Sequence, residues 1–129
     1  LVVLSADHGG SEAPGYLQSL GIDSSYFNFE DVDKTAGIAA LKAEFGVAEE
    51  LIDQFFQPYF YLNHAEIAEL GLDLPLVSRR VAEELRKLPG IAYAVSSYDL
   101  RAGAVVQTPV TAAILVLSMR GGAWPKPMA

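Results

Sequence analysis

Apolar positions along the chain follow two periods, and the changes between them mark the elements. Leu1-Val2-Val3-Leu4 is an unbroken aliphatic run, the pattern of a strand buried on both faces, and it stops at Ser5-Ala6-Asp7-His8-Gly9-Gly10. Pro14-Gly15 and Gly21 signal an irregular connection. Tyr26-Phe27-Asn28-Phe29-Glu30-Asp31-Val32 reads as a strand that packs through Phe27, Phe29 and Val32. Ile38, Leu41 and Phe45 then share one helical face, with Asp33 or Thr35 placed to cap the first turn and Gly46 to end the helix. Two β-prone runs, residues 50–56 and 59–63, are split by Gln57-Pro58. A hairpin or bent edge is expected there, because Pro58 cannot donate to a ladder.

The next helix is the best marked. Pro75 suits a first helical position, where its missing N–H costs nothing. Val77, Val81, Leu85 and Leu88 form an apolar stripe, while Arg79, Arg80, Glu83, Glu84 and Lys87 fall on the polar side. Pro89-Gly90 closes it; residues 91–97 read as a strand, Arg101-Ala102-Gly103 as a turn, and Thr108-Pro109 as the start of a last helix using Val110, Ala113 and Ile114. From Tyr26 to Ser97 the order is therefore strand, helix, strand, strand, helix, strand. That is an α+β, ferredoxin-like (βαββαβ) arrangement, an antiparallel sheet with both helices on one face. Three parts are predicted: residues 1–25 as a strand and turn, 26–103 as the ferredoxin-like unit, and 104–129 as a helix and irregular tail. Leu1 already stands in a strand-like run, as expected of a segment excised from a longer chain. Residues 115–129 show neither period nor cap and read as a tag, a truncation scar or disordered sequence.

Composition narrows the possible partners. Hydrophobic residues make up 51 % of the 129, enough for a core, so wholesale disorder is not expected. The net charge of −7, with no basic stripe, argues against a nucleic-acid groove or an anionic membrane surface. No apolar run approaches the roughly 20 residues that span a bilayer. Cysteine is absent, which removes disulfides and thiolate metal sites.

The local candidate for chemistry is Asp7-His8-Gly9, directly after the aliphatic run. In open α/β sheets functional groups collect beyond the carboxyl ends of strands. Asp offers a hard oxygen and neutral imidazole a borderline nitrogen, a pair that suits zinc. An ordinary surface turn is the competing reading of the same three residues. His64 is expected to cap or flank a short helix. The aromatics Phe55, Phe56, Tyr59, Phe60 and Tyr61 are assigned to sheet and core packing rather than base stacking, and Arg79-Arg80 to a solvated charge cluster. Ser96-Ser97 lacks a neighbouring His and a nucleophile-elbow pattern.

Leu1-Val2-Val3-Leu4-Ser5-Ala6-Asp7-His8-Gly9 resembles the strand and metal-binding turn of the alkaline phosphatase superfamily. The resemblance is to its single-chain phosphatases and nucleotide pyrophosphatase/phosphodiesterases. It continues through Pro58-Tyr59-Phe60-Tyr61-Leu62-Asn63, Val81-Ala82-Glu83-Glu84-Leu85, Ile91-Ala92-Tyr93-Ala94-Val95 and Asp99-Leu100, to about Ile114. The resemblance implies two zinc ions about 4 Å apart that clamp the attacking and leaving oxygens of a phosphate ester. It implies a Ser or Thr nucleophile that forms a covalent phospho-enzyme, and a periplasmic or secreted parent. Asp7 and His8 match the adjacent Asp-His pair that holds one ion. The rest of the family's set is not in this sequence: His8 and His64 are its two histidines, and no Asp-x-x-x-His occurs. No catalytic residue is therefore assigned within the chain, which is expected to be inactive alone. Residues 26–103 are expected to shape one side of the parent's cleft. The alternative is a non-enzymatic ferredoxin-like binding or dimerisation module, for which the Asp7-His8 pair would have no use. A homodimer through residues 1–4, mediated by Val2 and Val3, is also expected, since an unpaired aliphatic strand seeks a partner.

Overall fold

The structure is a computed structural model, and it describes residues 1–5, 10, 12–56, 59–104 and 108. Five α-helices, one 3-10 helix and two strands follow one another among them: α1 (Pro14–Ser19), the 3-10 helix (Phe29–Lys34), α2 (Ala36–Phe45), β1 (Ile52–Phe56), β2 (Tyr59–Leu62), α3 (His64–Glu69), α4 (Leu74–Leu85) and α5 (Ser97–Ala102). The class is α+β, with one two-stranded antiparallel sheet. Ile52 pairs with Leu62, Phe55 with Phe60 and Phe56 with Tyr59, and the register shifts between Ile52 and Gln54.

The two predicted helices form where the pattern placed them. Ile38 and Leu41 of α2 and Val77, Val81 and Leu85 of α4 are buried, and Phe45 and Leu88 pack against them. Gly46 ends α2 in the left-handed conformation (φ 72°), which a glycine adopts without steric cost. Asp73, at the N-cap of α4, accepts from the Leu76 N–H, and Pro75 lies in the first turn. These helices close a core with Val32, Val47, Leu51, Ile52 of β1 and Ile67 of α3.

The first and last strands of the expected ferredoxin-like unit are not strands. Residues 22–28 join no ladder, and the run continues into the 3-10 helix. The local cause is Asn28, whose side chain accepts from the Glu30 N–H and donates to Asp31. Such short polar side chains offer the backbone an alternative to a ladder. Phe27 and Val32 still pack inward, as the sequence suggested. Residues 91–96 likewise join no ladder, and Ser97 opens α5. Here Ser96 caps the helix, its Oγ accepting from the Tyr98 N–H, and Gly103 closes it at φ 66°. The expected turn at Arg101-Ala102-Gly103 is therefore the end of a helix. The expected four-stranded sheet is thus reduced, among the described residues, to the antiparallel pair of its second and third strands. The connection predicted as irregular around Pro14 contains α1, with Pro14 in its first turn. Gln57-Pro58, the expected last helix beyond Thr108 and the tail lie outside the described residues.

One carboxylate seats the sheet on the helices. Asp33 Oδ1 accepts from the Leu51 and Ile52 N–H groups at 3.0 and 2.8 Å, and its Oδ2 pairs with Lys42 Nζ at 2.8 Å. Asp33 does not cap the helix, since Thr35 occupies the N-cap of α2, without a side-chain cap bond. Glu66 adds a second tie from α3, accepting from the Ala48 N–H.

Candidate functional site

Asp7 and His8, the predicted metal pair, lie outside the described residues. Around the pair, residues 1–5 and residue 10 are described. Leu1, Val2, Val3 and Leu4 belong to no sheet and are exposed. An aliphatic strand is stable when strands flank it and cover both faces. The described residues supply no such neighbours, so within this chain the run stays outside the core. Beyond the pair, Gly10 is exposed and α1 has no buried residue.

His64 stands at the first position of α3, where Asn63 is the N-cap and accepts from the Glu66 N–H at 3.1 Å. It flanks a helix, as its sequence context suggested. Among the described residues no group of three or more His, Asp or Glu side chains is placed to hold a metal. Ser96 is buried and commits its hydroxyl to the α5 cap. A nucleophilic role has no geometric support there.

A concave feature among the described residues is a cleft of about 340 Å³ where α4 faces α5 and the segment before it. Arg79, Glu83 and Arg86 line it from α4 and the residue that ends it, Tyr93, Ala94 and Val95 from the connection, and Asp99 from α5. The sequence did not couple Arg79 to Asp99, twenty positions away. Arg79 donates through Nε and Nη2 to both Asp99 oxygens, at 2.7 to 3.2 Å, a two-pronged contact that fixes α5 against α4. The hydrogen bond from Arg79 holds the Asp99 carboxyl below the ordinary aspartate range, and burial works against that shift. The same bond, with the attraction of the carboxylate, raises the guanidinium. Arg80, its neighbour, turns the other way and reaches Glu44 of α2 at 2.9 Å. The expected solvated cluster is therefore two separate cross-element ties. In the cleft two guanidiniums face two carboxylates, so a phosphate would meet no net positive field.

The aromatic residues divide by face. Phe29 stacks on Phe55 with ring centroids 3.5 Å apart, and Phe60 meets Phe55 at 4.9 Å. Phe56, Tyr59 and Tyr61 face outward and are exposed. Packing, the predicted role, accounts for the first set.

Comparison with known proteins places a phosphatase beside these observations. Over 100 residues, 78 % of this chain, the sequence is 33 % identical to alkaline phosphatase PafA from Elizabethkingia meningoseptica. Those residues span 18 % of that protein, so the chain corresponds to a small part of it. No family model matches the chain, and no solved structure matches it. The sequence is thus partly similar to an alkaline phosphatase, which agrees in its coarse sense with the resemblance read from the motifs.

Proposed function

We propose that the chain is a segment of a two-metal hydrolase of the alkaline phosphatase type, acting on phosphate monoesters or diesters. The observation that carries the reading is the 33 % identity over 100 residues to a curated alkaline phosphatase. The chemistry of the donor pair is compatible with it. Asp7 offers an anionic oxygen and His8 a neutral nitrogen, the donor types that zinc accepts. Two side chains are fewer than a zinc site needs, so other segments of a longer protein must complete the set. When bound, two zinc ions would stabilise the attacking and leaving oxygens of an in-line displacement at phosphorus. The part played by this chain is to hold one ion in place through Asp7 and His8. Gly9 and Gly10 are the residue type that would permit close backbone approach to an ion there. The nucleophilic hydroxyl lies elsewhere in the longer protein. The α+β unit that follows borders the cleft and influences which esters enter.

The test belongs in the longer protein, recovered from the flanking coding sequence. That sequence should encode the missing Asp, the Ser or Thr nucleophile, an Asp-x-x-x-His pair and one further His. Replacement of Asp7 or His8 by Ala should then lower phosphatase activity by several orders of magnitude and leave the fold in place. Near-normal activity in both variants would reduce the pair to a surface turn.

A further inference from the structure

Residues 13–24 form a loop that closes on itself. Ala13 is the N-cap of α1, and beyond the helix the Ile22 N–H returns to the Leu17 carbonyl at 3.0 Å. Ser24 Oγ donates to the Pro14 carbonyl at 2.9 Å, and Gln18 Nε2 donates to the Ser24 carbonyl at 2.7 Å. These bonds tie the exit of the loop to its entrance. A compact loop whose ends are held together by its own groups moves as one piece.

Among the described residues ahead of the 3-10 helix, Phe27 is the one that packs against the core. Its ring lies on Gly90, in the connection that follows α4. A Cβ at position 90 would stand 3.1 Å from Phe27 Cδ2, and the backbone there is left-handed (φ 92°). Glycine meets both demands, the close approach and the dihedral. The Phe27 ring also meets Phe29 at 4.9 Å, in the tilted arrangement that aromatic pairs favour. Phe29 in turn stacks on Phe55 of β1. Phe27 thus touches the connection after α4 directly and the sheet through Phe29.

We infer that Phe27, seated on Gly90, is a positioning residue: it clasps the 13–24 loop to the α+β unit and thereby sets that unit's place beside the Asp7-His8 turn. Ser25 and Tyr26 alone separate the loop from Phe27, so its exit follows the ring closely. At the other end, His8 is five residues before Ala13, and five residues span at most about 18 Å. The loop is therefore a short covalent link between the turn and the unit, and the clasp fixes its far end. The consequence for substrate rests on the phosphatase reading; the clasp itself does not. Releasing the unit disturbs where an ester is held and leaves the metal donors and the nucleophile in place, so the loss falls on KM.

The chain contains no cysteine, so thiol pairs for spin labels can be introduced without background. Tyr16→Cys in α1 with Leu76→Cys in α4 reports the loop against the unit. Ala40→Cys in α2 with Leu76→Cys reports the unit itself; all three positions are exposed. Pulsed dipolar spectroscopy of the 129-residue chain should give narrow distance distributions for both pairs. Phe27→Ala should broaden the first and leave the second narrow. Gly90→Ala, which displaces the ring and removes no core atom, should do the same. A first distribution that is broad without either substitution, or narrow with both, would overturn the clasp. So would joint broadening of the two pairs in both variants, because Phe27 would then serve the core alone. In the longer protein, Gly90→Ala should raise KM for an aryl phosphate ester by about ten- to a hundredfold, with kcat and bound zinc unchanged. A fall in kcat at constant KM would overturn the positioning role. A longer protein without phosphatase activity would overturn the phosphatase reading and the link to it, while selective broadening of the first pair would still support the clasp.

Discussion

Asp33 is the residue on which the most elements depend. Its side chain is only 11 % exposed, and it serves two backbone donors of the segment entering β1 as well as the Lys42 ammonium. Asp33→Ala leaves both N–H groups without their acceptor in a region where water reaches poorly. The expected loss is about 2–4 kcal/mol of unfolding free energy, from two donors at roughly 1–3 kcal/mol each with partial rescue by solvent. Lys42→Met, which removes one arm of the ion pair, should cost under about 1 kcal/mol. Urea unfolding measures both, and equal losses in the two variants would show that the ion pair, not the backbone acceptor, holds the sheet. The sequence offered Asp33 as a helix cap because an Asp just before a helical pattern usually serves there. A chain turning back eighteen residues later leaves no local signal. Asp33 was legible as an acceptor, and its donors were not.

At the scale of elements, α5 owes its position to the Arg79–Asp99 contact more than to its own length of six residues. This gives an acid dependence with a defined sign. Arg79 holds the folded-state carboxyl of Asp99 below its unfolded value. The stability it adds is fully present above the unfolded value of about 4 and is lost as pH falls through the folded value. Asp99→Asn should therefore unfold at lower urea than the parent sequence near neutrality, and the gap should close as the pH drops below about 4. A gap that persists undiminished in strong acid would assign the effect to packing. α5 also shows how an element escapes sequence reading. Ile91-Ala92-Tyr93-Ala94-Val95 has β-prone residues, but a strand needs a neighbour to pair with. The serine at position 96 and the aspartate at 99 carried the helix-start signal that prevailed.

For the whole molecule, the consequence of the proposed function is catalytic silence. The described residues assemble no three-ligand metal group, and Asp7 and His8 are fewer donors than a catalytic zinc site uses. The 129-residue chain, assayed with an aryl phosphate monoester and diester in the presence of zinc, should show no turnover above background. Turnover that survives rigorous purification and vanishes in Asp7→Ala would mean that the chain is complete in itself, and the reading as a segment would fall.

The sequence by itself determined α2 and α4, their buried faces, the glycine that ends α2, the antiparallel pair β1–β2 and the helical setting of His64. Each follows from information held within about a dozen residues: a 3.6-residue apolar period, a cap, or two β-prone runs around a short connection. It also held the motifs whose likeness to an alkaline phosphatase the wider comparison supports in part. Only the tertiary structure decided which β-prone runs become strands. Ladder pairing is a contract between distant segments, and without partners the runs at 26–32 and 91–97 settle into capped helical turns or irregular backbone. It likewise decided that Asp33 serves the sheet and that Arg79 and Arg80 point to different elements. Those contacts join residues 18 to 36 positions apart, and no local period records which of several nearby charges will be met when the chain folds back.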